Sequence, residues 1–186
     1  MSLLELMYFN LNELSSMHSI SKEKKALEII SKTLLQMSES LAVAESVTAG
    51  LIQSRLALGK DATLYFQGGI TAYNLGQKVK HLSIDPIFAE RSNCVSMSVA
   101  REMACNVTRL FNCSWGIAIT GYAAPVPALK IKECFAYYSF AYKGQSVFED
   151  RLDTRLKSAP VVQRLFAEKV IESFAHHLTT ASTSIH

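Results

Sequence analysis

LAVAESVTAGLIQSR, residues 41–55, is the stretch whose reading decides the fold. Leu41-Ala42-Val43-Ala44 is a short apolar run of the kind that forms a buried strand, and at Glu45 it gives way to small and hydroxylated residues, Ser46, Thr48, Ala49 and Gly50. Apolar side chains return at helical spacing with Leu51, Ile52 and Leu56. The stretch therefore predicts strand, tight turn, helix, with Ser46 at the carboxyl end of the strand beside the N–H groups that open a helix. Negative charge is stabilised at such a place, so it suits a nucleophile or a bound anion. The plainer reading is that Ser46 and Thr48 do no more than cap the helix.

Upstream, Leu27, Ile30, Leu34 and Met37 recur at three and four residues and predict an amphipathic helix from Ser21 to Met37. Leu4, Met7, Leu11 and Leu14 mark an extra helical segment within residues 1–20. Downstream, Tyr65 to Tyr73 reads as a strand, with Gly68-Gly69 as a bulge, and Asn74 and Gly76 as the turn after it. Asp85-Pro86 opens a short helix, and Val99, Met103, Val107 and Leu110 define a longer one capped by Ser96 or Ser98. A buried strand from Ser114 to Ile119 ends at Thr120-Gly121, and the loop from Tyr122 to Leu129 holds Pro125 and Pro127. Glu133–Tyr142 and Ser146–Leu152 make a hairpin about Lys143-Gly144-Gln145. The last helix opens near Ser158-Ala159-Pro160 and turns Val162, Phe166, Val170, Phe174 and Leu178 inward; the tail, residues 179–186, is expected to fray. The sum is an α/β protein, a single three-layer domain with a mixed sheet between helices and a C-terminal hairpin plus helix. In such sheets ligands gather at the carboxyl ends of strands, and three of those ends carry hydroxyls: Ser46, Tyr73 and Thr120.

A chain of 186 residues suits one domain, and 49% apolar against 19% charged residues argues for a large core and against disorder. No apolar run approaches the ~20 residues that span a bilayer, and the acidic residues among the N-terminal leucines do not read as a secretion signal, so the expected place is the cytoplasm. Cys94, Cys105, Cys113 and Cys134 form no CxxC pair and sit in apolar surroundings, so free thiols are expected and no metal. A net charge of +3 spread over scattered lysines does not suggest nucleic acid as a partner.

Four separated stretches, AESVTAG at 44–50, GGITAYNLGQK at 68–78, VSMSVAREMA at 95–104 and AITGYAAP at 118–125, resemble in order and spacing those of the C-terminal domain of the competence/damage-inducible CinA family. The resemblance covers residues 21–178. It implies hydrolysis of the carboxamide of nicotinamide mononucleotide to the nicotinic acid nucleotide and ammonia, with no metal or organic cofactor, by a homodimer. Ser46 then stands in the place of the nucleophile, and Lys78 and Tyr73 in those of the groups that activate it. Thr120 lines the nucleotide site, with Glu45, Thr48, Asn74 and Gly121 also against substrate. The chemistry is coherent: a serine hydroxyl needs a neighbour to take its proton, and a lysine does so only where its surroundings hold it neutral.

The departures cluster at the same site. Val47 and Ala49 stand where the family has Cys and Gly. Ala123 to Ala128, with two prolines, replaces a glycine-rich loop whose N–H groups would face a phosphate. Lys157 to Pro160 replaces a GDR motif, leaving Arg155 or Lys157 as the nearest basic substitutes. Three readings follow: an amidase for the usual nucleotide, an amidase for a related amide, or a non-catalytic relative that binds a nucleotide or protein partner. The pyrophosphatase domain of longer family members has no expected counterpart in these residues.

Overall fold

The computed structural model describes residues 21–183. The expected helix between residues 3 and 17 lies outside them. Helix α1 occupies 21–37 and is followed by strand β1 (Leu41–Glu45), helix α2 (Leu51–Leu56), β2 (Phe66–Thr71), α3 (Leu75–Leu82), α4 (Pro86–Arg91) and α5 (Met97–Leu110). The chain ends with β3 (Trp115–Tyr122), the hairpin β4 (Cys134–Tyr142) and β5 (Gln145–Thr154), and the long α6 (Ala159–Thr183). The five strands form one sheet in the order β2-β1-β3-β4-β5, with β1 parallel to both neighbours and β4 and β5 antiparallel.

Alternation along the strands explains the three layers. Leu41 and Val43 of β1, Ile117 and Ile119 of β3, and Tyr138 and Phe140 of β4 pack with α1, α2 and α6. The opposite faces are small: Ala42, Ala44, Ala118 and Ala141 pack against α3, α4 and α5. This smallness lets α5 lie close on the sheet. At Gly116 a Cβ would collide with the Ala104 carbonyl of α5 and come within 2.8 Å of Thr108 Cγ2.

Most expected elements stand near their expected bounds, with instructive differences. Met37 and Leu110, expected on the buried stripes of their helices, are exposed, and each stands in the last turn of its helix. β3 runs on through Thr120 and Gly121 to Tyr122, since β4 keeps pairing with it as far as Phe135. The turn between β4 and β5 is two residues, Lys143 (φ 50°) and Gly144 (φ 79°), the left-handed pair a tight hairpin requires. Pro127–Leu129 forms a short 3-10 turn in the loop expected to be irregular. α6 continues to Thr183, past the expected start of fraying at Thr179; the Thr179 hydroxyl donates to the His176 carbonyl.

Candidate functional site

The carboxyl ends of β1 and β3 and the segment after β2 open onto a cavity of about 410 Å³, large enough for a nucleoside-sized ligand. Ser46 and Lys78 form its floor. Ser46 follows β1 directly, and its N–H still donates to the Ile119 carbonyl of β3 at 3.1 Å, so the sheet itself holds the residue. Lys78 sits on α3, which Asn74 caps by accepting the Gln77 N–H at 3.0 Å. From there the lysine side chain runs inward until it is 1% exposed. Its Nζ donates to Ser46 Oγ at 2.9 Å and to the Ala72 carbonyl at 2.7 Å. Burial disfavours the ammonium form and pushes Lys78 down to about 8, with the nearby Cys94 thiol pulling weakly the other way. Burial pushes that thiol up.

The serine turn is shaped by a residue that does not line the cavity. Glu45 is fully buried, and its carboxylate accepts the N–H groups of Gly50, Ile52 and Gln53 at 3.1, 3.1 and 2.8 Å. Glu45 thus fills the start of α2, the place the sequence offered to an outside anion. Thr48 is also fully buried outside the cavity lining, and its hydroxyl finds no partner among the described residues. The structure therefore does not bring Glu45 and Thr48 to a ligand, because both side chains point into the packing of the turn. Ala49 (φ 52°) and Gly50 (φ 99°) turn the chain left-handed into α2. The Ala49 N–H donates to the Ser46 carbonyl at 3.2 Å. Among the described residues the Val47 and Thr48 N–H groups between them have no acceptor.

The other expected residues are placed unevenly. Tyr73, Asn74, Thr120 and Gly121 do line the cavity. Tyr73 is 68% exposed at the rim, and its hydroxyl makes no hydrogen bond to Ser46 or Lys78. The Thr120 hydroxyl donates to the Cys94 carbonyl at 2.8 Å, steadying the left-handed pair Asn93 (φ 49°) and Cys94 (φ 62°) that forms one wall. Neither Arg155 nor Lys157 reaches the lining; Ala159 and Gln163 from the first turns of α6 stand there instead.

Sequence reasoning did not find Gln163, Asn93 and Tyr122. Gln163 Nε2 donates to the Val47 carbonyl at 3.0 Å, tying α6 to the serine turn, and Asn93 Nδ2 donates to the Tyr122 hydroxyl at 2.9 Å. The one available signal for Gln163 was its place four residues after Ala159, on the face beside the apolar stripe. Asn93 lies in a turn with no local pattern to distinguish it.

Comparison with known proteins gives a consistent picture. The family described as "CinA C-terminal domain" matches residues 23–178. A Mycoplasma genitalium protein is 32% identical over 152 residues, 82% of this chain and 96% of that protein. A CinA-like protein of Acaryochloris marina is 34% identical over 116 residues, 62% of this chain but 28% of its own length. A putative competence-damage inducible protein of Natranaerobius thermophilus is 38% identical over 103 residues, which is 55% of this chain and 25% of that protein. The chain thus spans about a quarter of the length of these two longer relatives. Among solved structures, a CinA superfamily protein from Klebsiella pneumoniae superposes with a TM-score of 0.76 at 18% identity, covering 85% of this chain and 98% of that one. One from Escherichia coli gives 0.73 at 24% identity, covering 82% and 89%.

Proposed function

This chain belongs to the CinA C-terminal domain family, and from that premise we propose that it is a serine amidohydrolase that converts a carboxamide to a carboxylate and ammonia. The observation that carries the proposal is the buried 2.9 Å contact between Lys78 Nζ and Ser46 Oγ. A lysine held near 8 is neutral in an appreciable fraction of molecules around neutral pH. In that form one N–H still donates to the Ala72 carbonyl, which leaves the lone pair facing the serine hydroxyl.

Ser46 Oγ attacks the amide carbon as its proton passes to Lys78, and the carbonyl oxygen becomes an oxyanion. We assign that charge to the N–H groups of Val47 and Thr48, which have no acceptor among the described residues; a well-aimed donor of this kind is worth ~3 kcal/mol. Lys78 then returns the proton to the departing nitrogen, the C–N bond breaks, and ammonia leaves a Ser46 ester. Water, deprotonated by the same lysine, cleaves the ester to the carboxylate and restores the serine.

The test is ammonia release from nicotinamide mononucleotide and a panel of related amides by the purified chain. Turnover abolished by Ser46→Ala supports the proposal. No release from any member at high enzyme concentration removes it.

A further inference from the structure

We infer that Asn93 and Tyr122, joined side by side on the cavity wall, select ligands carrying two adjacent hydroxyl groups, as on a sugar ring; the inference rests on the amidohydrolase reading and adds a specificity-determining pair to it. Both residues line the cavity whose floor is Ser46 and Lys78. Neither takes part in the proton transfers assigned to that floor.

Each of the two is fixed before a ligand arrives. Tyr122 ends β3 opposite Phe135 of β4, and its ring meets that of Phe135 edge-on with centroids 5.5 Å apart. The Arg151 guanidinium lies over the Phe135 ring, 4.5 Å from its centroid. Asn93 holds a left-handed turn (φ 49°), and its N–H donates to the Glu90 carbonyl at 3.0 Å. The next residue is anchored twice: the Cys94 N–H donates to the Ala89 carbonyl at 2.8 Å, and the Cys94 carbonyl accepts the Thr120 hydroxyl at 2.8 Å. Two side chains set by separate frameworks then meet in one hydrogen bond, from Asn93 Nδ2 to the Tyr122 hydroxyl at 2.9 Å. Groups held in this way lose little freedom when a ligand binds.

What that bond leaves over defines the ligand. Asn93 Oδ1 has no donor among the described residues, and the second Nδ2 hydrogen and the Tyr122 hydroxyl proton have no acceptor among them. The pair therefore offers an acceptor and donors side by side. An anion would leave Oδ1 unmatched, and an ammonium group would leave the donors unmatched. Adjacent hydroxyls, each of which gives and takes a hydrogen bond, match both kinds.

The test compares nicotinamide mononucleotide with its 3′-deoxy analogue by ammonia release, in wild type, Tyr122→Phe and Asn93→Gly. Phenylalanine keeps the ring on Phe135 and loses the hydroxyl; glycine removes the amide and accepts the positive φ. Wild type is expected to prefer the diol by at least about tenfold in kcat/KM, carried by KM, and each folded variant to lower that preference by at least about threefold. A pair that only braces the wall would weaken both substrates together and leave their ratio unchanged. A smaller preference in wild type, or a smaller drop in either folded variant, overturns the inference. If wild type turns over neither compound, the amidohydrolase reading fails and calorimetric Kd values decide by the same two criteria; binding of neither overturns the inference.

Discussion

The Glu45 carboxylate accepts the Gln53 N–H at 2.8 Å across the turn that carries Ser46. Its second oxygen accepts the N–H groups of Gly50 and Ile52, so one buried side chain takes three of the N–H groups that open α2, while that of Leu51 goes to the Thr48 carbonyl. Glu45→Gln keeps the shape but puts an amide donor against backbone donors. It is expected to cost about 2 kcal/mol, read as a lower urea midpoint. Because Ser46 is the next residue, ammonia release should fall at least ~10-fold.

Lys78 makes the site pH-dependent in two ways. Proton transfer from Ser46 needs the neutral amine, so kcat/KM should rise with pH and level off above about 8. A profile flat from pH 6 to 9 would remove Lys78 as the base. Stability responds to the same group. The folded value lies below the unfolded 10.5, so between about 8 and 10.5 the unfolded chain binds more protons. The cost of burying the ammonium is therefore fully present below pH 8 and fades as pH rises towards 10.5. Relative to Lys78→Met, wild type should gain about 3 kcal/mol between pH 7 and 10.5, measured by urea unfolding.

Gly116 lies where α5 meets the centre of the sheet, with Thr108 Cγ2 and Val107 Cγ1 2.8 and 2.9 Å from where a Cβ would stand. The Ala104 carbonyl closes the same space and is backbone, so it yields little. Gly116→Ala should destabilise the fold by about 3 kcal/mol, visible as a drop in thermal midpoint.

Gln163 links α6 to the serine turn through a single bond to the Val47 carbonyl. Gln163→Leu keeps the volume and removes the bond, at a cost of about 1 kcal/mol and a fall in Tm of about 3 °C. Activity should fall more than stability does, by roughly tenfold, because the bond positions the reacting serine. Unchanged turnover would show that α6 only packs against the turn.

Much of this was legible along the chain because it is local. The apolar run before Glu45, the stripe from Val162 to Leu178, the turn at Asn74 and the helix starts at Asp85 and Ser96 each depend on residues a few positions apart. The same stretches, with Ser46, Tyr73, Lys78 and Thr120 inside them, carried the family resemblance. Local pattern also misled where a neighbour in space intervenes. The start of α2 looked like an open anion site, and only the folded turn brings Glu45 back over it.

The sequence by itself determined the order of strands and helices along the chain, the single domain and the family. Only the tertiary structure decided that Lys78 reaches Ser46 across 32 residues, that Gln163 reaches Val47 across 116, and that Arg155 and Lys157 reach neither. The physical reason is that helix periods and turns are set by interactions between chain neighbours. The meeting of distant side chains is set by how the sheet orders its strands and by how closely small residues such as Gly116 let the helices approach.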